Sequence, residues 1–337
     1  MDGGTVNFFR KTFVEGRFIP FLGVLGFLLM RTLLFLYAVP FRSSLPPTDN
    51  YLWNPLSGWF DDPLISFLTS TVSIFAIAWV LSSMNSRFNL VRARSYLPFV
   101  VPLFLFSLHP CFLEMSGDYI AILFILFAFF PLLESYQQPD SYLFSFRSAV
   151  LIGLASLFQV FALWFLPLLW YGERSMRGGQ SRSFLASLFG LALVYVTLFS
   201  IYFLMDDLAG FARPFLHFTS FSIPSFPSFS TAEWGLLFLG LLFFVFNIAL
   251  AAKIYMRDKV LTLVTMRFVV FLVVAMLLLL LIYWEHLRFF LLFAISLVSM
   301  LNAYLYTRTQ AKRHIYMAYG WLLLMLLFYG SHFVNGF

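Results

Sequence analysis

The sequence predicts an all-α, polytopic transmembrane helical bundle, and three observations lead there. The 337-residue chain is 61% hydrophobic and only 11% charged, whereas a soluble domain is about 25% charged. Its mean hydropathy of +0.89 is too high for water to serve as its solvent. Apolar runs near the bilayer-crossing length of about 20 residues recur along the chain, separated by short polar stretches. No hydrophilic stretch is long enough to fold alone, so residues 1–337 read as a single integral membrane domain.

Taken in order, residues 1–17 carry Arg10, Lys11 and Arg17 and read as a cytoplasmic N-terminus. The run 18–40 exceeds the roughly 7–15 apolar residues of a signal h-region, and no small-x-small cleavage pattern follows, so it reads as a retained first span. Residues 41–62, with Pro46, Pro47, Trp53 and Trp59, form a first outer loop at headgroup level. Further apolar segments follow at 63–83, 96–113, 118–134, 148–170 and 183–205. A second outer loop at 206–232 is interrupted by Pro224 and Pro227, which exclude a regular helix there. The segments 233–252, 264–284, 287–306 and 315–334 complete the set.

Charge decides which segments cross. Cytoplasmic loops carry the excess of Lys and Arg. If every segment crossed, the basic loops at 84–95 and 171–182 would face opposite sides. One segment between them must fail to cross. The best candidate is 148–170, with small residues Gly153, Ala155 and Ser156 and polar Gln159 at mid-depth, which suit a re-entrant or broken helix. About nine crossings remain. Every Lys and Arg except Arg31, Arg42, Arg213 and Arg288 then falls on the cytoplasmic side of a bacterial inner membrane. The opposite face collects Asp49, Asp61, Asp62, Glu114, Asp118, Asp206, Asp207, Glu233 and Glu285.

Candidate functional residues follow from that sorting. Carboxylates at span ends can line a cavity opening from the membrane surface, or can simply favour a helix N-terminus, as Asp62 and Glu233 would. Glu285, His286 and Arg288 form a tight turn between two spans. Arg31 lies near mid-depth in the first span, where a charge costs about 2.5–3.5 kcal/mol on insertion scales. It therefore pairs with an acid, bonds to carbonyls or lines a site. The five His show no metal-spaced pair, and no nucleotide-binding, zinc or serine-nucleophile motif occurs, so no cofactor or metal is named. The lone Cys111 excludes an intrachain disulfide. The basic residues punctuate apolar runs as topology signals, which is not a nucleic-acid-binding pattern.

Two family resemblances can be placed on these residues. Phe88-Asn-Leu-Val-Arg-Ala-Arg-Ser-Tyr-Leu97, Phe144-Ser-Phe-Arg-Ser-Ala-Val-Leu-Ile-Gly-Leu-Ala-Ser-Leu-Phe158 and Tyr202-Phe-Leu-Met-Asp-Asp207, with Phe8-Phe9-Arg10-Lys11, resemble a family of Bacteroidota inner-membrane proteins of unknown function. That likeness implies location, not activity. A second set is similar to the C-type glycosyltransferase superfamily. It comprises Asp61-Asp62 after the first span, Pro110 before Glu114 and Asp118, and Leu151-Ile-Gly-Leu-Ala155. The sequence departs from that superfamily in a first outer loop of about 20 residues, in Gln159 standing where Lys or Arg is often found, and in lacking a large periplasmic domain.

The second resemblance implies a site at the outer face and a polyprenyl-phosphate-linked sugar as ligand. Asp61 or Asp62 would be the catalytic base or acceptor-positioning group, and Arg31 or Arg288 the phosphate contact. Glu114, Asp118, Glu285 and His286 would complete the binding surface. The alternative is a non-catalytic membrane subunit or assembly factor of a cell-envelope machine, with a membrane-protein partner. A transporter ranks third, because the spans show no inverted repeat.

Overall fold

The computed structural model describes residues 8–37, 50–91, 93, 95–138, 142–221, 231–256, 258–308 and 312–334. Arg42, Pro46, Pro47, Asp49, Arg92, Arg94, Pro224, Pro227 and Arg257 lie outside the described residues, as do the side chains of Glu233 and Arg313. The helices are α1 (Ile19–Tyr37), α2 (Pro63–Phe88), α3 (Leu97–Leu105), α4 (Gly117–Glu134), α5 (Tyr142–Phe158) and α6 (Phe165–Arg177). They continue with α7 (Ser181–Leu204), α8 (Leu208–Leu216), α9 (Thr231–Tyr255), α10 (Val260–Ile282), α11 (Leu287–Thr307) and α12 (Lys312–Val334). Among the described residues, eight helices are long and apolar enough to cross a membrane. The chain is a multi-pass, all-α membrane protein.

Cross-chain contacts sort the helix ends into two groups. At one end, Arg87 closing α2 pairs with Glu134 closing α4, and Arg308 after α11 pairs with Asp258 before α10 at 2.9 Å. At the other, Met115 N–H donates to Ser66 Oγ near the start of α2 at 2.7 Å, and Arg288 in the first turn of α11 reaches Asp118 in the first turn of α4. We call these the basic end and the acidic end. The N-terminal π-helical turn (Arg10–Val14) lies at the basic end, where Phe9 and Phe13 pack on Tyr319 of α12. The far end of α12 brings His332 beside His109 at the acidic end.

The segment expected to break does so at Gln159, whose backbone is extended (φ −152°, ψ 109°) between α5 and a 3-10 stretch, Val160–Trp164, that leads into α6. The two legs form a hairpin. Arg177 at the foot of α6 donates to Ser145 at the foot of α5, so both feet lie at the basic end while residues 157–160 form the tip at the acidic end. The hairpin therefore keeps the chain's alternation in the register that the positive-inside argument required. Each leg is nearly a full traverse, because α5 starts at Tyr142 and the return runs to Arg177. Gly178 (φ 84°) ends α6 in a conformation that a side chain would strain.

The segment 96–113 also differs in form from the continuous span expected. It is the nine-residue α3, a turn, and a 3-10 turn at Pro110–Phe112. Pro102 lacks an N–H and its ring crowds the preceding turn, so the helix ends within a few residues. The freed backbone groups between Phe106 and Met115 need partners, and the surrounding helices supply them.

Burial shows what faces lipid. The α11 span is 83% buried, whereas those of α1 and α7 are 17% buried. Phe289, Phe290, Phe293 and Tyr304 make α11 the centre of the core against α3, α4, α9 and α10. Exposed Leu, Val and Phe along α1 and α7 (Phe21, Leu29, Leu185, Val196, Phe199) suit acyl chains.

Candidate functional site

The loop joining α3 to α4 is held in place by side chains that the broken helix demands. Arg31, fully buried in α1, donates through Nη1 to the Phe112 carbonyl (3.0 Å), through Nη2 to Ser70 Oγ (2.7 Å) and through Nε to Thr71 Oγ1 (3.0 Å). Its guanidinium carbon lies 5.6 Å from the ring centroids of both Phe27 and Phe67. Ser70 passes its own hydroxyl to the Leu113 carbonyl (2.6 Å), and Tyr119 Oη donates to the Phe112 carbonyl (2.8 Å). Arg31 is thus the carbonyl-bonding arginine, bound to the loop and not to an acid. It fixes where Glu114 and Ser116 stand.

Those residues lead into a buried polar cluster at Asp118. Gln159 at the hairpin tip donates Nε2–H to Asp118 Oδ1 at 2.7 Å. Oδ2 receives Arg288 Nε–H at 3.1 Å and Ser116 Oγ–H at 3.0 Å. Arg288 Nη1 is 3.7 Å from Glu114 Oε2. Asp118, Gln159 and His286 are 7%, 2% and 5% exposed, so the cluster sits inside the fold although it lies at a helix end. The His286 ring is 4.4 Å from Phe161 and 5.5 Å from His217, and it feels the Asp118 charge. Around the cluster, Gln159 Oε1, Arg288 Nη1, His286 Nε2 and His217 Nε2 are buried without a hydrogen-bond partner among the described residues.

A segment at residues 50–60 covers the tip. Leu52 N–H donates to the Leu157 carbonyl (2.9 Å), and Val160 N–H donates to Asn50 Oδ1 (3.3 Å). Trp53 stacks on Phe60 and lies against Gly117, where a Cβ would come within 3.0 Å of the indole and 2.7 Å of the Phe158 carbonyl. Gly117 is required because helix α4 and the hairpin tip meet backbone to backbone. Tyr51 donates to the Phe211 carbonyl at 2.6 Å, and burial, with Tyr195 and Tyr202 adding to it, holds its hydroxyl above the ordinary range. It stays protonated and keeps that bond.

The structure thus brings together Glu114, Asp118, His286 and Arg288, with Arg31 one layer away in the scaffold of their loop. Asp61 and Asp62 are exposed at the start of α2, where Asp62 caps the helix by accepting Leu64 N–H at 2.8 Å. Glu285 is exposed in the turn before α11. The sequence marks Gln159 as a polar residue in a segment that breaks and as a departure from the C-type glycosyltransferase pattern, not as a partner of Asp118, and it does not single out Ser116, Asn50 or His217. A lone amide in an apolar run was the available signal for Gln159. Among the described residues, no group of His, Cys, Asp and Glu could hold a metal ion. No family model, no curated protein and no solved structure matches this chain.

Proposed function

We propose that this membrane protein takes the polar head of a lipid-dissolved ligand into its acidic end, and that the ligand is a polyprenyl-phosphate-linked sugar, handled as in C-type glycosyltransferases. The observation that carries the reading is the buried cluster, with four polar atoms of differing character around one oriented carboxylate. Arg288 Nη1 only donates, Gln159 Oε1 only accepts, and a neutral imidazole Nε2 does either according to tautomer. Sugar hydroxyls, which donate and accept, meet all of them. Two carboxylates against one guanidinium disfavour a phosphate within the cluster itself, so the sugar belongs there and the phosphate nearer the surface. Asp118 is then the carboxylate that positions the acceptor hydroxyl, with Asp61 and Asp62 at the exposed rim. In this reading the protein sits in a bacterial inner membrane, and the positive-inside rule supports an orientation with the basic end in the cytoplasm and this site on the outer face.

Native mass spectrometry of the protein, gently extracted from its own membrane, tests the proposal. The wild type should carry a polyprenyl-phosphate-sugar mass, and Asp118→Asn should lose it while staying monodisperse. A second reading, the non-catalytic subunit or assembly factor, has one observation in its favour: both Asp118 oxygens are already engaged by protein donors, as in a structural staple. A stable membrane-protein partner with no such lipid would overturn the first reading and establish the second.

A further inference from the structure

A polar concavity lies at the acidic end, apart from the buried Asp118 cluster. It is a cleft of about 170 Å³ between the 50–54 segment and the junction of α7 with α8, lined by Asn50, Asn54, Tyr202, Asp207 and Arg213 among others. The space equals that of roughly six waters. The cleft holds one full charge of each sign. Asp207 caps α8 through Oδ1, which accepts Gly210 N–H at 2.8 Å, and its other oxygen is left for a second donor. Arg213 has no ion-pair or hydrogen-bond partner among the described residues. Asp207 and Arg213 stand about 9 Å apart along the helix axis by the α-helical rise, and the long arginine side chain shortens that gap.

The surroundings of the cleft are apolar and outward-facing. Leu204, Met205, Leu208 and Leu216 are exposed at the end of α7 and along α8. A short helix with leucines outward and Arg213 beside a polar cleft suits the headgroup layer. A ligand there meets a cation, an anion, two amides and, immediately alongside, acyl-chain surface.

We infer that this cleft docks the phosphoethanolamine headgroup of a bilayer phospholipid, with its phosphate on Arg213 and its ammonium on Asp207. Arginine's fork suits phosphate oxygens. Asp207 discriminates in two ways: it repels a purely anionic headgroup, and it accepts hydrogen bonds from a primary ammonium that a quaternary choline cannot donate. The exposed leucines favour the lipid over the free headgroup. This site stands independently of what occupies the Asp118 cluster.

The test is native mass spectrometry of detergent-purified protein titrated separately with phosphatidylethanolamine, phosphatidylcholine and phosphatidylglycerol. Phosphatidylethanolamine should bind at least about fivefold tighter than either. Asp207→Asn keeps a capping side chain, and Arg213→Gln alters an exposed position, so both should fold. Each should weaken phosphatidylethanolamine about tenfold, as expected for loss of a charge-assisted bond, and Asp207→Asn should strengthen phosphatidylglycerol. Equal binding of the three lipids, or variants that bind phosphatidylethanolamine like the wild type, would overturn the site. Soluble phosphoethanolamine competing as well as the lipid would overturn the lipid as its source.

Discussion

Replacing Arg31 by Met tests whether the arginine serves as a clamp for the broken segment. Its three hydrogen bonds join α1 to α2 and to the Phe112 carbonyl. Hydrogen bonds between membrane helices measure about 0.6 kcal/mol on average and up to about 1.7, so three amount to about 2–5 kcal/mol. The insertion penalty of a mid-span arginine does not offset this, because the unfolded chain in the bilayer carries the same charge at the same depth. Each acceptor keeps at least one other bond (Phe112 from Tyr119, Ser70 to Leu113 and Phe67, Thr71 to Phe67), which places the result toward the lower half of that range. Equilibrium unfolding in bicelles, read by steric trapping, should show a loss of about 2–3 kcal/mol. Arg31→Lys should lose nearly as much, because a point charge cannot serve three acceptors in three directions. A cycle with Ser70→Ala should give a coupling of about 1 kcal/mol. Wild-type stability in Arg31→Met, or full retention in Arg31→Lys, would refute the clamp and leave only a charge accommodated in the bundle.

Two other perturbations separate structure from chemistry. Gly117→Ala puts a Cβ 2.7 Å from the Phe158 carbonyl, which cannot yield as a side-chain tip would. About 1–3 kcal/mol of destabilisation is expected, with increased hydrogen exchange at residues 157–160 as the local readout. Asp61→Asn with Asp62→Asn should leave thermal stability unchanged, since Asn caps as well as Asp. If sugar transfer is reconstituted, loss of turnover in that double variant assigns the chemistry to the rim, and retained turnover removes Asp61 and Asp62 from it.

The architecture was largely legible because a bilayer leaves the sequence few options. Apolar length and loop charge located the spans, and the small residues with one mid-run amide pointed to 148–170 as the broken segment, which the structure breaks at Gln159. The form of residues 96–113 was harder to read, since Pro102 and Pro110 sit in a run as apolar as any true span. Hydropathy registers solvent, not continuity of the helix. Within the site, Glu114, Asp118, His286 and Arg288 stood out as charged or titratable groups beside apolar runs. Their assembly depended on contacts that no local pattern encodes: Gln159 meets Asp118 from 41 residues away, and Asn50 meets Val160 from 110. Arg31 was visible as an anomaly, yet its role became evident only when α3 ended early and left carbonyls to be bonded.

The pairing of Asp118 with Arg288 also has a consequence for synthesis. The two are 170 residues apart in the chain, and chains are made at about 5–20 residues per second, so the acid precedes its counter-ion by roughly 10–30 s. Over that interval Asp118 lacks its counter-ion, and the first turn of α4 lacks the contact that ties it to α11. The helix that completes the core, α11, is also the one that brings the neutralising charge. Late arrival of a single arginine would thus time the moment at which the earlier half of the bundle closes.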